Sequence, residues 1–170
     1  MFKVSGKNGI GALKNLLKIF LFFIITTTVV LADRATKVFF SDLLNLGESI
    51  PIIHNILHFT LVHNTGIAFG LFKDHGIVFI IIPITLIGLL VFNIYFNHHD
   101  QDLTLSYIIA FALILGGAIG NLIDRIFIGH VIDFIDFRIW PVFNLADSAI
   151  TVGAGLLMWK SWQSGWFNRK

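Results

Sequence analysis

Residues 105–123 read LSYIIAFALILGGAIGNLI, and this stretch decides the fold of the chain. It carries no charged side chain and is apolar over most of its length. A hydrocarbon core of about 30 Å requires roughly 20 helical residues, because a helix satisfies its own backbone hydrogen bonds in lipid. The stretch is therefore predicted to cross a membrane as a helix.

Three further stretches have the length and character of spans: residues 16–32, 76–96 and 144–162. No small-residue cleavage site follows the first, which is expected to be a retained anchor. Pro83 removes one helix hydrogen bond and is expected to kink the second. The predicted fold class is an all-α integral membrane protein with four transmembrane helices, and residues 1–170 form a single membrane domain.

The composition excludes an ordinary soluble domain. The 170 residues are 56% hydrophobic and 13% charged, whereas soluble domains carry roughly 25% charged residues. Much of the basic excess behind the net charge of +2 flanks the apolar stretches near the two termini, which indicates membrane topology and not nucleic-acid binding. The absence of cysteine excludes disulfides, thiolate metal sites and a cysteine nucleophile.

The distribution of lysine and arginine predicts the orientation. Seven of these residues lie on the side of the two termini and five lie on the other side, and the bias is strongest around the first span. Basic residues favour the cytoplasmic side of a membrane. We therefore expect a multi-pass protein with both termini in the cytoplasm and with residues 33–75 and 124–143 outside.

The segment between the first two spans contains an alternating stretch, HFTLVH at 58–63. It is flanked by Pro51 on one side and by Asn64 and Gly66 on the other. Alternation of apolar and polar residues with turn formers at the ends is typical of a half-buried strand. We expect a small extracytoplasmic β-hairpin or cradle at the outer membrane surface.

Ionisable residues gather at the outer ends of the predicted spans, where they are candidates for function. Asp33 and Lys37 are one helical turn apart and can pair as i,i+4 neighbours, although an interfacial ion pair or a helix stop explains them equally well. At the end of the third span, Asn121, Asp124 and Arg125 share one patch. Arg125 complements the helix dipole, whereas Asp124 does not and is harder to explain as a cap.

Two glycines precede that patch. Gly116 and Gly120 form a G-x-x-x-G pattern, which permits close helix approach and is weak evidence when it stands alone.

Two more carboxylate positions follow the third span. The connecting loop contains VIDFIDF at 131–137, in which apolar residues surround Asp133 and Asp136. Poor hydration raises the pKa of a carboxyl group toward the range useful for acid–base chemistry. The fourth span opens with Asn144 and Asp147 on one face, and an N-cap role fits Asn144 better than Asp147.

Residue spacing alone leaves three interpretations open: an acid–base carboxylate pair, a proton or cation pathway, and structural polarity at helix ends. Two carboxylates that converge can share a proton, so that one activates water and the other protonates the substrate. His54 and His58 lack the spacing of a zinc protease, and Ser148 lacks a base at the same depth. We expect no metal.

Six ordered blocks together resemble one family, the bacterial lipoprotein signal peptidases or signal peptidases II. The blocks are DRATK at 33–37, LGESIPII at 46–53, HNTGIAFG at 63–70, GGAIGNLIDR at 116–125, VIDFIDF at 131–137 and FNLADSAI at 143–150. The resemblance covers most of residues 31–155. Each block is weak alone, whereas the ordered set is specific.

The resemblance implies an intramembrane aspartyl endopeptidase of the bacterial plasma (inner) membrane, with its active site near the outer face. Such an enzyme removes the signal peptide of a diacylglyceryl-modified prolipoprotein by cutting before the lipid-modified cysteine, and it is a target of the antibiotic globomycin. The expected partners are prolipoprotein substrates and membrane lipids, without nucleic acid, and a monomer is expected. No cofactor is implied.

On the family pattern the catalytic pair falls on Asp133 and Asp147. The supporting or substrate-binding residues implied by the resemblance are Asn64, Gly66, Asn121, Asp124, Arg125, Asn144, Asp33 and Lys37. The stretch between Asp133 and Asp147 is shorter than in many relatives and contains Pro141, so its shape departs from the family pattern.

Two other classes of function stay open beside the peptidase. A small proton-coupled transporter would use buried acids in the same way, although it usually has more spans or internal symmetry. A noncatalytic membrane assembly factor would not need either carboxylate.

Overall fold

The computed structural model describes residues 6–66, Thr85 and residues 104–163. The elements in chain order are α1 (Gly6–Leu43), β1 (Ser49–Ile53), β2 (Leu57–Asn64), α2 (Leu105–Phe127), β3 (Val131–Asp136) and α3 (Leu145–Gln163). Apart from Thr85, the predicted second span at 76–96 and its kink at Pro83 lie outside the described residues.

Helices α2 and α3 cover the stretches predicted as the third and fourth spans. Helix α1 is longer than the predicted span at 16–32, because it continues to Leu43. Residues 33–43, DRATKVFFSDL, contain neither proline nor glycine, so nothing in them breaks the helix. Within the described part of the chain, α1 and α2 are the two helices long and apolar enough to cross a membrane.

The hairpin predicted around 58–63 is present, and it belongs to a larger sheet than expected. Strands β1 and β2 pair antiparallel, with Ile50 opposite Phe59. Strand β3 then pairs antiparallel with the other edge of β2, which gives the order β1-β2-β3. The sheet therefore connects the segment after α1 to the segment between α2 and α3.

Strand β3 corrects the sequence interpretation, which placed residues 131–137 in a connecting loop. The first four residues of β3, Val131–Phe134, are all buried. A strand that is covered on both faces reads as a continuous apolar run and loses the alternation by which strands are recognised. The carboxylate of Asp133 is therefore held on a paired strand.

A small apolar core fastens the sheet to the outer part of α1. Phe40 is buried among Leu61 of β2 and Ile132 and Phe134 of β3. Its ring stacks on Phe134 at 4.3 Å between centroids and contacts Phe59 at 4.5 Å. Stacked and tilted aromatic pairs at such distances add to the free energy gained by burial. The extension of α1 beyond its apolar span thus supports the sheet.

Helices α1 and α2 approach closely at the two glycines of the G-x-x-x-G pattern. A Cβ on Gly116 would lie 2.8 Å from the Cβ of Val29, and one on Gly120 would lie 2.6 Å from Oδ2 of Asp33. Both glycines therefore face α1, and the predicted close approach is confirmed. The contact at Gly120 brings Asp33 directly against α2.

Helices α2 and α3 are in contact through glycines as well. A Cβ on Gly117 would lie 2.3 Å from the carbonyl oxygen of Ala146, and one on Gly153 would lie 2.7 Å from that of Ala110. The backbone of α2 thus lies against the first turn of α3, which carries Asp147.

The substitution Gly117→Ala should destabilise the protein. The added methyl group overlaps the backbone of α3, and overpacking of this kind costs about 1–3 kcal/mol. The midpoint of thermal unfolding in detergent micelles should therefore fall. Gly155→Ala is the matched control, because a Cβ there meets nothing within 4 Å. Equal midpoints for the two variants would contradict the proposed contact.

Candidate active site

The predicted site residues converge on one buried polar network at the junction of the three helices and the sheet. Six of their polar side chains are buried: Asp33, Lys37, Asn121, Asp124, Asp133 and Asn144. Asn64, Arg125 and Asp147 are half-buried at its margin, and Gly66 is buried. Their elements are separated widely along the chain, so the network exists only in the folded molecule.

Lys37 lies at the centre of this network. Its ammonium group contacts Oδ2 of Asp33 at 2.7 Å and Oδ2 of Asp124 at 2.8 Å, and it donates to Oδ1 of Asn121 at 3.0 Å. The i,i+4 pairing of Asp33 and Lys37 is as predicted. Both residues have 0% exposure, however, so the alternative of an interfacial pair or helix stop is wrong. Buried charges persist only when they are paired and hydrogen-bonded.

The two carboxylates around Lys37 reach further elements. Oδ1 of Asp33 accepts the backbone N–H of Ala146 at 2.9 Å, in the first turn of α3, where the helix dipole favours negative charge. Asp124 accepts Nη1 of Arg34 and the backbone N–H of Ile132, the latter at 3.3 Å. Asp33 thus ties α1 to α3, and Asp124 ties α2 to α1 and β3.

Asp124 is therefore a structural partner of two cations, Lys37 and Arg34. No role was predicted for Arg34, although it stands next to Asp33 in the polar run DRATK. The sequence offers one indication of this role, namely that Arg34 directly follows the acidic residue Asp33. Spacing alone does not show which neighbouring element that face of the helix contacts.

Amide side chains hold both members of the predicted catalytic pair. Asp133 accepts Nδ2 of Asn144 at 2.7 Å on one oxygen and Nδ2 of Asn64 at 2.9 Å on the other. Asp147 accepts Nδ2 of Asn121 at 2.7 Å. Each carboxylate is thus held by an amide from another element, which fixes the direction in which its remaining lone pairs point.

Asn144 also begins α3. Its Oδ1 accepts the backbone N–H of Asp147 at 2.9 Å, and the carboxylate of Asp147 accepts the backbone N–H of Asn144 at 3.3 Å. This reciprocal arrangement is a capping box, with aspartate where glutamate is usual. The predicted N-cap role of Asn144 is confirmed, and the same bonds hold Asp147 in the first helical turn.

The surroundings of Asp133 favour its protonated form. Burial, and after it the nearby charge of Asp147, raise the pKa of Asp133 to about 7. Hydrogen bonds from Asn64 and Asn144 and the charge of Lys37 oppose this rise. Near neutral pH Asp133 can therefore hold or release a proton, as general acid–base chemistry requires.

Gly66 and Arg125 form hydrogen bonds with two of the asparagines that hold the pair, Asn64 and Asn121. The backbone N–H of Gly66 donates to Oδ1 of Asn64 at 3.0 Å, which turns the Nδ2 group of Asn64 toward Asp133. Nη1 of Arg125 donates to the carbonyl oxygen of Asn121 at 3.2 Å, and its charge interacts with both Asp147 and Asp133.

Other polar residues lie apart from this network. The carboxylate of Asp136 accepts a hydrogen bond from Oγ1 of Thr60 and pairs with Arg138. Burial acts to raise the pKa of Asp136, but the bonds from Thr60 and Arg138 together outweigh burial, so the net pKa is lowered. Ser148 donates to the carbonyl oxygen of Asn144 at 3.0 Å. Among the described residues, no group of three or more histidine, aspartate or glutamate side chains could hold a metal ion.

Comparison with known proteins gives consistent matches. The model of the family described as "Signal peptidase (SPase) II" matches residues 25–163. The chain is 44% identical over 141 residues to a lipoprotein signal peptidase of Halothermothrix orenii, covering 83% of this chain and 94% of that protein. It is 46% identical over 138 residues to one of Pelotomaculum thermopropionicum, covering 81% and 88%.

Solved structures agree with these matches. One described as a bacterial membrane enzyme superposes with a TM-score of 0.78 at 34% identity, covering 89% of this chain and 93% of its own. A second with the same description has a TM-score of 0.72 at 35% identity, covering 82% and 91%.

The substitution Asn64→Ala should raise the pKa of Asp133. It removes a donor that stabilises the charged carboxylate, so the proton is held to higher pH, by about one unit above the value near 7. The titration can be followed by the infrared carbonyl stretch of the protonated carboxyl group, which Asp133→Asn identifies by difference. Asn45→Ala is the control, since Asn45 is exposed and bonds Glu48. An unchanged or lower pKa would contradict the assignment.

Proposed function

The chain belongs to the signal peptidase II family, and we propose that it is a membrane peptidase that removes signal peptides from prolipoproteins with Asp133 and Asp147 as its catalytic residues. The observation that carries the proposal is the coupling of the two carboxyl groups. Asp133 has a pKa of about 7, raised by burial and by Asp147, and each group is held by an asparagine. This arrangement supports an aspartic peptidase.

In the proposed reaction, Asp133 starts protonated and Asp147 starts ionised. Asp147 takes a proton from a water molecule, whose oxygen attacks the scissile carbonyl carbon while Asp133 gives its proton to the carbonyl oxygen. In the second half, Asp147 protonates the leaving nitrogen, the C–N bond breaks, and Asp133 recovers a proton from the diol. Both carboxyl groups thereby return to their starting states, and general acid–base catalysis of this kind requires no metal.

The proposed substrate is a prolipoprotein cut before a lipid-modified cysteine. Its signal segment would lie extended beside the sheet, and its acyl chains would stay in lipid between the helices. The position of Asp133 supports this, because it lies on β3 opposite Val62, directly where the sheet meets the helices. A peptide bond that leaves the membrane there would reach both carboxyl groups.

We also propose the topology expected from charge: four spans, both termini in the cytoplasm, and the sheet with the active site near the outer face. The length and apolar character of α1 and α2 support their place in the bilayer. The pair and the sheet lie at the same end of the bundle, beside the extension of α1 beyond its span. We propose a monomer, in which one chain carries all the proposed catalytic groups.

Both Asp133→Asn and Asp147→Asn should abolish cleavage of a diacylglyceryl-modified prolipoprotein, lowering kcat/KM by at least about a hundredfold, because each removes one proton-transfer group. Asp42→Asn is the matched control at an exposed position of α1. Cleavage is measured as release of the signal peptide by the purified enzyme in lipid vesicles.

Near-normal cleavage by either variant would sink the assignment, and a noncatalytic assembly factor would tolerate both changes. Cleavage should persist in EDTA, whereas its loss would favour a metal mechanism. A proton-coupled transporter would instead show proton flux into vesicles without cleavage.

Topology is tested separately with reporters. A fluorescent protein that matures only in the cytoplasm should fluoresce when fused after Lys170, and alkaline phosphatase fused there should be inactive. The reverse pattern would contradict the proposed orientation.

A further inference from the structure

The orientation of the Asn121 amide depends on Lys37. The oxygen and nitrogen ends of an asparagine amide are similar in size, so its neighbours decide which end points where. An ammonium group has three donors and no acceptor. Because Nζ of Lys37 lies 3.0 Å from the Asn121 amide, the oxygen end must face Lys37.

The nitrogen end consequently faces the proposed base. Nδ2 of Asn121 donates to Oδ1 of Asp147 at 2.7 Å. In the flipped orientation a carbonyl oxygen would stand against a carboxylate oxygen, and two acceptors would repel each other at that distance. The donor that stabilises the charge of Asp147 therefore exists only while Asn121 is held in the observed orientation.

Asn121 differs in this respect from the other two amides at the pair. Asn64 is oriented by the backbone N–H of Gly66, and Asn144 is oriented by the backbone N–H of Asp147. The oxygen of Asn121 accepts only side-chain donors among its identified hydrogen bonds, namely Lys37 and Asn144. A substitution at Lys37 thus removes one of the two donors that hold the Asn121 oxygen, and the charged one, without altering the backbone.

We propose that Lys37 is a positioning residue of the peptidase, which fixes the Asn121 amide so that it donates to Asp147 and keeps this carboxylate ready to accept a proton from water. The inference rests on the proposed function. Lys37 contacts neither carboxyl group of the pair in a hydrogen bond, so it acts through Asn121.

The charge of Lys37 is a separate influence that the test must exclude. Among the described residues, the other charged or titratable groups on or beside the elements that carry the pair include Asp33 and Arg34 of α1, Asp124 and Arg125 of α2, Asp136 of β3, and His63 and His130 beside β3. For Asp133, the hydrogen bonds from Asn64 and Asn144 lower the pKa more than the charge of Lys37 does. Hydrogen-bond donation can therefore be separated from charge by neutral substitutions.

Two neutral substitutions of similar length provide the comparison: Lys37→Gln, which can donate to Asn121, and Lys37→Met, which cannot. Each is made together with Asp33→Asn, so that no unpaired carboxylate is buried beside residue 37. Asp124 keeps Arg34, and the oxygen of an asparagine at 33 can still accept from Ala146. Asp33→Asn alone serves as the reference.

The Met variant should lose about a hundredfold in kcat relative to the reference, and the acidic limb of its pH profile should move up by about one unit. The kcat of the Gln variant should stay within about tenfold of the reference, and the acidic limb of its pH profile should stay within about half a pH unit of the reference. Equal profiles for Gln and Met, or a reference-like profile for Met, would overturn the proposal.

Thermal unfolding of each variant in detergent separates loss of fold from loss of positioning. If the Met variant does not fold, the Gln variant tests the proposal alone. A shift of one pH unit or more in the acidic limb of its profile would then mean that the charge of Lys37, and not its hydrogen bond to Asn121, is what matters, and this would overturn the proposal. Activity in Asp133→Asn or Asp147→Asn would refute the proposed function itself, which is a different outcome from any of these.

Discussion

The ammonium group of Lys37 is completely buried, and the arrangement of the site depends on how that charge is balanced. Two carboxylates and one amide surround it, from Asp33, Asp124 and Asn121. Transferring a charged group from water into the protein interior costs on the order of several kcal/mol, and only close partners of opposite charge or with hydrogen-bonding groups offset that cost. Each partner also bonds another element, so satisfying Lys37 brings α1, α2, α3 and β3 to one point. The stability of this centre and the position of the proposed catalytic groups thus have a common physical cause.

The two carboxyl groups of the proposed pair have different surroundings. Asp133 lies on a paired strand whose neighbours are buried and apolar, and burial raises its pKa to about 7. Asp147 lies in the first turn of α3, where its carboxylate accepts the side-chain amide of Asn121 and the backbone N–H of Asn144. In the proposed reaction, these different environments suit one carboxyl group to act as acid and the other to act as base. A strand and a helix start provide that difference.

Several elements were predicted from local patterns, and others were not. The apolar stretch at 105–123 became helix α2, and the alternating stretch at 58–63 became part of β2. Strand β3 was missed because both of its faces are buried, so its sequence lacks the alternation of apolar and polar residues that marks a half-buried strand. Helix α1 continues beyond the predicted span at 16–32, because partners in the fold neutralise Asp33 and Lys37, which could also have marked a helix stop. In both places tertiary burial overrides a local signal.

Hydropathy and helical spacing alone establish a membrane protein with acidic groups at the ends of its spans, since these properties depend on neighbouring residues. They do not distinguish Asp124, a structural partner of two cations, from Asp133 and Asp147, because all three look alike locally. The family resemblance implies that distinction, and the fold adds the contacts of Asp124 with Lys37 and Arg34 and long-range bonds such as that from Ala146 to Asp33 across 113 positions. Such contacts require the close helix approach at Gly117 and Gly120, which depends on how complete helices pack.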